Sequence, residues 1–385
     1  MAKLKVMSVY GTRPEAIKLA PVIKALENDG RFESVAVSTG QHKEMLDQMN
    51  QMFEIDPAFD LKLMKSSQGL NELVSRAIIG LDSVIQEVAP DAIVVQGDTS
   101  TAMAAAMAGF HLGVKIVHLE AGLRTGDILS PFPEEANRKV ISQIASLHLA
   151  PTDGAQKNLQ IENVLSDDIV VTGNTVIDAL LDAVQWDTEF DDDALAESIA
   201  SSRRIVVVTT HRRENHHAMH EIGSAVQTLA KLYPEVDFVL PLHLNPVVRE
   251  AVLPEIESRP NVIITGPLPY DQFTKLQSRA SFILTDSGGV QEEAPSLGTP
   301  VLLMRGNTER PEAIVAGTVK LVGAKERLIV AEARLLLDDD AVFAEMANSV
   351  NPYGDGKASI RSVAAIAELL GVGSRIEEFS PYVNK

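Results

Sequence analysis

Short runs of β-branched and apolar residues alternate along the whole chain with longer stretches of helical periodicity, and this alternation leaves few folds open. Strands separated by helices pair in parallel and are covered on both faces, so βαβ units are the expected building block. The first series of strand candidates is Val6 to Tyr10, Val35 to Thr39, Ala92 to Gln96, Lys115 to Leu119 and Leu147 to Ala150. A second series follows at Arg204 to Thr210, Asp237 to Leu240, Val262 to Thr265, Phe282 to Thr285, Val301 to Met304 and Val319 to Val322. Repetition of one pattern over 385 residues, more than a single core usually serves, points to two domains.

Between the series lie Ile169 to Thr172, the Gly173-Asn174 pair, a helix-like segment from Val176 to Trp186, and the acidic stretch Glu189 to Asp193. The expected N-terminal domain is therefore 1–172 and the C-terminal domain 173–356. A terminal helix within about 357–385 is expected to pack back on the first domain. The fold class is α/β, with two Rossmann-like, doubly wound parallel-sheet domains.

Composition narrows the function. With 34 Lys and Arg against 53 Asp and Glu, the formal charge of -19 repels polyanions, so neither nucleic acid nor an anionic membrane surface is an expected partner. No stretch reaches the roughly 20 apolar residues that span a bilayer. The absence of cysteine removes disulfides, thiolate metal sites and thiol nucleophiles together, and suits a reducing compartment. The expected location is cytoplasmic, and Met1 to Tyr10 reads as a first strand, not a leader.

In open parallel sheets ligands collect beyond the carboxyl ends of strands, so the residues just after each strand carry the chemistry. The first strand runs into Gly11-Thr12-Arg13-Pro14-Glu15, a tight turn opening a helix with Arg13 and Lys18 near its start, which suits an anion. Asp98 follows the strand ending at Gln96, and Glu120 follows the one ending at Leu119. Each alone is more often a cap or a structural acceptor. A third carboxylate, Glu134, opens a helix after Pro133 and shares a face with Arg138 at i,i+4, whereas Glu135 points about 100° away. An exposed Glu134–Arg138 ion pair is the plain alternative.

In the second half His211, Arg212 and Arg213 follow a strand end and suit a diphosphate. His211, His216, His217 and His220 lack the spacing of a zinc site, and no metal is expected. The strongest local signal is Thr285-Asp286-Ser287-Gly288-Gly289, a strand and Ser-Gly-Gly turn whose backbone amides can wrap a phosphate, with Glu293 one turn further on to reach a ribose diol. Arg310 adds a candidate phosphate ligand.

Taken together these residues resemble the non-hydrolysing UDP-N-acetylglucosamine 2-epimerase family. The resemblance is carried by GTRPEAIK at 11 to 18, QHKEMLDQ at 41 to 48, GDTSTA at 97 to 102, HLEAGLRTGD at 118 to 127, PFPEEANR at 131 to 138 and TGNTVIDALL at 172 to 181. It continues in HRRE at 211 to 214, HLNP at 243 to 246, TDSGGVQEEAPSLG at 285 to 298, TERPEA at 308 to 313 and NPYGDG at 351 to 356. It implies a GT-B-like fold with the active site in the inter-domain cleft, a homodimer, and cofactor-free interconversion of UDP-GlcNAc and UDP-ManNAc in cell-surface polysaccharide biosynthesis. By motif, Asp98, Glu120, Glu134 and His211 fall on catalytic positions. Arg13, Lys18, Arg138, Phe273, Ser287, Gly288, Gly289, Glu293 and Arg310 fall on substrate-binding ones.

The implied chemistry expels UDP from C1 to give 2-acetamidoglucal, because C2 has no neighbouring carbonyl to acidify its hydrogen. Carboxylates then remove and return the C2 proton. Crowding of the three carboxylates is expected to push at least one pKa upward. Gln41, Glu134, Arg212 and His243 match a second, regulatory UDP-GlcNAc site, while Glu44 and Ser67 replace the glutamine and arginine of some members. Leu268 similarly replaces a glutamine in the nucleotide-contacting segment. Rival readings are a GT-B glycosyltransferase, a hydrolysing epimerase that releases ManNAc and UDP, and a nucleotide-sugar sensor without turnover.

Overall fold

The valine- and isoleucine-rich runs form two parallel sheets in the computed structural model, which describes residues 2–40, 43–63, 68–256, 259–308 and 310–381. The chain divides into two compact units, one comprising Met1–Ala179 with Tyr353–Lys385, the other Leu180–Pro352. Its strands, covered on both faces, read as continuous apolar runs and not as alternating ones.

Unit 1 holds β1 (Leu4–Tyr10), β2 (Phe32–Ser38), β3 (Phe59–Asp60), β4 (Ala92–Gln96), β5 (Lys115–Leu119), β6 (Leu147–Ala150) and β7 (Ile169–Val171), in the order β3-β2-β1-β4-β5-β6-β7. The chain winds outward from β1 in one direction and returns to start again at β4, so the order reverses between these two central strands. That reversal opens a crevice at their carboxyl ends. Val6, Val9, Val94 and Val95 are fully buried between the layers, each contributing roughly 1.5–3 kcal/mol of apolar burial. Ile169 to Val171, read from sequence as lying between the two series, pairs with β6 and forms the edge of this first sheet. The two-residue β3 on the opposite edge, paired only through Val37 with Phe59 and Ser38 with Asp60, is too short to leave a periodic signal.

The last helix, Ala358–Leu369, packs against the helix Arg13–Glu27 and against β6. Beyond it the chain covers the free edge of β7: Phe379 N–H donates to Val171 O at 2.8 Å, and Val171 N–H donates to Glu378 Oε2 at 3.2 Å. The units part after Ala179 and rejoin at Tyr353, some residues away from the 172 and 356 read from sequence. The helix Thr175–Ala183 begins tied to unit 1, where Asp178 accepts from Ala358 N, Ser359 N and Ser359 Oγ.

Unit 2 holds β8 (Arg204–Thr209), β9 (Val236–Pro241), β10 (Val262–Thr265), β11 (Ala280–Thr285), β12 (Val301–Leu303) and β13 (Val319–Leu321), in the order β10-β9-β8-β11-β12-β13. Its reversal falls between β8 and β11. Phe238 and Phe282 from neighbouring parts of this sheet share one fully buried core with Met219, Leu229 and Leu336. The acidic stretch before it has a structural use: Asp192 caps the helix Asp193–Ala200 by accepting from Leu195 N at 2.9 Å.

Candidate active-site residues in the two units

The reversal point of unit 1 collects the first group of predicted residues. The turn after β1 is built on Glu15, a fully buried carboxylate that accepts from Gly11 N at 3.0 Å, Thr12 N at 2.8 Å and Thr12 Oγ1 at 2.8 Å. Its other oxygen takes the Thr99 hydroxyl at 2.6 Å, so Glu15 ties the turn carrying Arg13 to the turn carrying Asp98. Burial raises its pKa despite these donors. Arg13 is half-buried in the first turn of its helix.

Glu120 and Asp98 sit after neighbouring strands, β5 and β4. Glu120 has a φ of +62°, a left-handed conformation that costs a non-glycine residue roughly 1–3 kcal/mol. Its carboxylate pairs with Lys18 and accepts from Gln96 Nε2 at 2.5 Å and Asn174 Nδ2 at 3.0 Å. One oxygen rests against Gly97, where a Cβ would approach it to 3.4 Å, so the strand end that presents Asp98 also supports Glu120. Below this turn His118 Nε2 lies 2.8 Å from Gly97 O. Burial drives its pKa down to about 3, and that of its strand neighbour His148 to about 4, so both rings are neutral.

Arg138 pairs with Asp98 and with Glu135, the latter at 2.9 Å. The plain alternative of a Glu134–Arg138 pair is therefore corrected: the guanidinium bonds the i,i+3 glutamate. Glu135 is fully buried, and an unpaired buried carboxylate would be costly, so the cation goes to it. Glu135 also takes Thr125 N and Gly126 N at 3.2 and 3.4 Å, a structural duty. Glu134 is half-buried in the first turn of the helix Glu134–Ile144, and no side-chain hydrogen bond or ion pair reaches its carboxylate among the described residues.

The reversal point of unit 2 is organised by Asp286, also fully buried. It accepts from Thr210 Oγ1 at 2.9 Å, His211 N at 3.1 Å, Arg212 N at 3.0 Å and Asn215 Nδ2 at 3.1 Å, and it faces His211 Nδ1 at 3.4 Å. The His211 ring stacks on His243 with centroids 5.9 Å apart. Burial lowers the His211 pKa, with Arg212 and His243 acting in the same direction and Asp286 opposing. Arg212 Nε is buried without a hydrogen-bond partner among the described residues.

After β11, Ser287, Gly288 and Gly289 turn into the short helix Gly288–Glu293. Arg310 Nε donates to the buried Glu292 at 2.5 Å, and its guanidinium lies over Gly288, where a Cβ would come within 2.8 Å of Nη1. Glu293 reaches back over Gly289 and accepts from Gln277 Nε2 at 3.2 Å. Phe273 is half-buried on the helix Tyr270–Arg279, and Leu268 half-buried in the loop before it. Gln41, Ser67 and the Glu44 side chain lie outside the described residues.

The structure thus brings Asp98 together with Arg138, Glu120 with Lys18, His211 with His243, and Gly288 with Arg310. Sequence reading missed Gln96, Asn174, Glu292 and the duties of Glu15, Glu135 and Asp286. Glu15 and Asp286 stand inside the quoted stretches GTRPEAIK and TDSGG, at the turns themselves, which is the signal that could have singled them out. Among the described residues no group of three or more His, Asp or Glu could hold a metal ion, and no helix is long and apolar enough to cross a membrane.

A family model described as UDP-N-acetylglucosamine 2-epimerase matches residues 24–367. The chain is 47% identical over 373 residues to the UDP-N-acetylglucosamine 2-epimerase of Yersinia pestis, an alignment covering 94% of this chain and 98% of that one. Identity to the UDP-N-acetylglucosamine 2-epimerase of Escherichia coli K12 is 45%, with the same coverage. The crystal structure of UDP-GlcNAc 2-epimerase from Neisseria meningitidis bound to UDP-GlcNAc superposes with a TM-score of 0.83 at 43% identity, covering 95% of this chain and 100% of that chain. The fold is the GT-B-like one of these epimerases, built of two Rossmann-like parallel-sheet units.

Proposed function

Because the chain belongs to the UDP-N-acetylglucosamine 2-epimerase family, we propose that it interconverts UDP-GlcNAc and UDP-ManNAc by expelling UDP and adding it back through 2-acetamidoglucal. A carboxylate takes the C2 hydrogen as a proton, the C–H electrons form the C1–C2 double bond, and UDP departs with the electrons of the C1–O bond. In the return step a UDP oxygen attacks C1 while C2 receives a proton on the opposite face. The elimination and addition involve no net oxidation or reduction, so the proposed reaction calls for no redox cofactor.

The observation that carries this reading is the pairing of Asp98 and Glu120 at the ends of adjacent strands beside the reversal point of unit 1. Acid–base groups placed side by side suit a proton that leaves one face of a carbon and returns to the other. Glu134 is a third carboxylate without a cation of its own among the described residues. In unit 2, Ser287, Gly288, Gly289 and Arg310 supply amides and charge for the diphosphate, with His211 beside them and Glu293 for the ribose. Negative charge that develops on a departing phosphate is stabilised best by donors already in place.

The test is incubation with UDP-GlcNAc in D2O without NAD or added metal, followed by proton NMR. UDP-ManNAc carrying deuterium at C2, with slow leakage of UDP and 2-acetamidoglucal, is the expected result. Free ManNAc as the product would replace this mechanism with a hydrolysing one, and unchanged UDP-GlcNAc under demonstrated binding would overturn epimerisation. We further take the enzyme to work in the cytoplasm as a homodimer, with Arg212 and His243 contacting a second, activating UDP-GlcNAc. Sigmoidal dependence of rate on UDP-GlcNAc would support that second site, and a hyperbolic one would remove it.

A further inference from the structure

We propose that Asp286 is a positioning residue that fixes the orientation and tautomer of His211, a role that rests on reading His211 as a group of the diphosphate site. The Asp286 carboxylate is fully buried, and its two oxygens already receive the Thr210 hydroxyl, the His211 and Arg212 amides and the Asn215 carboxamide. Those donors suffice to satisfy a buried anion, so its hydrogen bonding does not require the imidazole as well. Yet the ring is turned so that Nδ1 faces Asp286 Oδ1 at 3.4 Å, while the side chain as a whole stays 43% exposed.

A carboxylate can only accept, so the ring nitrogen that faces it carries the hydrogen. Nε2 is then the atom offered to a ligand. Among the described residues, the charged and titratable groups around the ring are Asp286, Arg212 and His243. Arg212 and His243 disfavour a proton on His211, as burial does, and Asp286 is the one group of the three that favours it. Asp286 therefore supports the imidazolium when a phosphate oxygen meets Nε2, in the way carboxylates orient histidines at other sites. The residue also stands immediately before Ser287, so one side chain couples the aim of His211 to the turn proposed for the diphosphate.

The full chain, labelled with 15N-histidine and free of ligand, gives the direct test through long-range 1H–15N correlations at neutral pH, with His211 assigned by the signal lost in His211→Gln. The expected wild-type state is the Nδ1–H tautomer. Asp286→Asn should move the population toward Nε2–H, lower the pH at which His211 titrates, and reduce turnover roughly ten- to hundredfold with far less change in KM. An Nε2–H tautomer in the wild type overturns the proposal, as does an Asp286→Asn protein that melts earlier but keeps its tautomer and turnover. If that variant does not fold, the wild-type tautomer still decides. Should the wild type prove not to epimerise, the functional reading fails while the tautomer measurement stands.

Discussion

At the β1/β4 reversal the buried carboxylate is Glu15, tied to Thr12 and Thr99. At the β8/β11 reversal it is Asp286, tied to Thr210, Asn215 and the two amides that open the next loop. Both units therefore use the same device, a desolvated carboxylate joining the turns after the two central strands. What the turns present differs. In unit 1 the Asp98 acid is the more exposed member of its pair with Arg138, 26% against 14%; in unit 2 the cation is, Arg310 at 23% over Glu292 at 6%. Other pairs of unit 1 run the opposite way: Lys18 is twice as exposed as Glu120, and Arg138 is more exposed than its second partner, Glu135. The comparison teaches that Asp98 and Arg310, the groups proposed above for proton transfer and for the diphosphate, are each the more exposed member of the ion pair that holds them.

The contrast is sharpened most by Asp98→Asn, which should lower epimerisation roughly 10²- to 10⁴-fold while leaving UDP affinity near wild type. Rates by NMR and UDP titration by calorimetry read the two quantities separately, and equal losses in both would erase the division of labour. Arg310→Ala should have the converse signature, weakening UDP binding by about 1.5–3 kcal/mol, because the charge-assisted contact proposed for the diphosphate is lost. Gly288→Ala tests the same cation more gently. The new Cβ displaces the guanidinium, and a loss of about 1 kcal/mol in UDP affinity is expected, smaller than that of Arg310→Ala.

The smallest effect concerns stability. Because burial raises the Glu15 pKa, its contribution is fully present below the ordinary glutamate value and is lost as pH rises through the raised one. Glu15→Gln should therefore flatten the pH dependence of unfolding above about pH 4.5 relative to wild type. Denaturant titrations of both proteins across that range provide the check, and parallel curves would show that Glu15 titrates alike folded and unfolded.

Much of this scaffold could be read in the sequence because buried parallel strands are written as apolar runs of fixed length, and the ranges read for β4, β5, β6 and β10 coincide with the observed ones at both ends. Asp98, Glu120 and Ser287 were legible for a related reason, since each lies within two residues of a strand's carboxyl end. The partners were not. Glu134 and Glu135 are adjacent acids on one helix turn, and only burial, a property of the assembled unit, decides that Glu135 takes Arg138. Glu15 meets Thr99 and Asp286 meets Thr210 across separations of 84 and 76 residues, which no local periodicity records. The β7 strand shows the same limit, for its three residues declare a strand but not which sheet they join.

The cover over β7 has a consequence for how the chain comes into being. An uncovered sheet edge invites pairing with other chains, and here Val171 and its bonding partner Glu378 are 207 residues apart. At a ribosomal pace of 5–20 residues per second, that edge waits about 10 to 40 s for its own cover. Unit 2, although second in the reading order, is synthesised whole within that interval and is able to fold before unit 1 is finished. Nascent chains stalled within unit 2 would accordingly be the ones most dependent on chaperones, with unit 1 still lacking its last helix and the cover of its sheet edge.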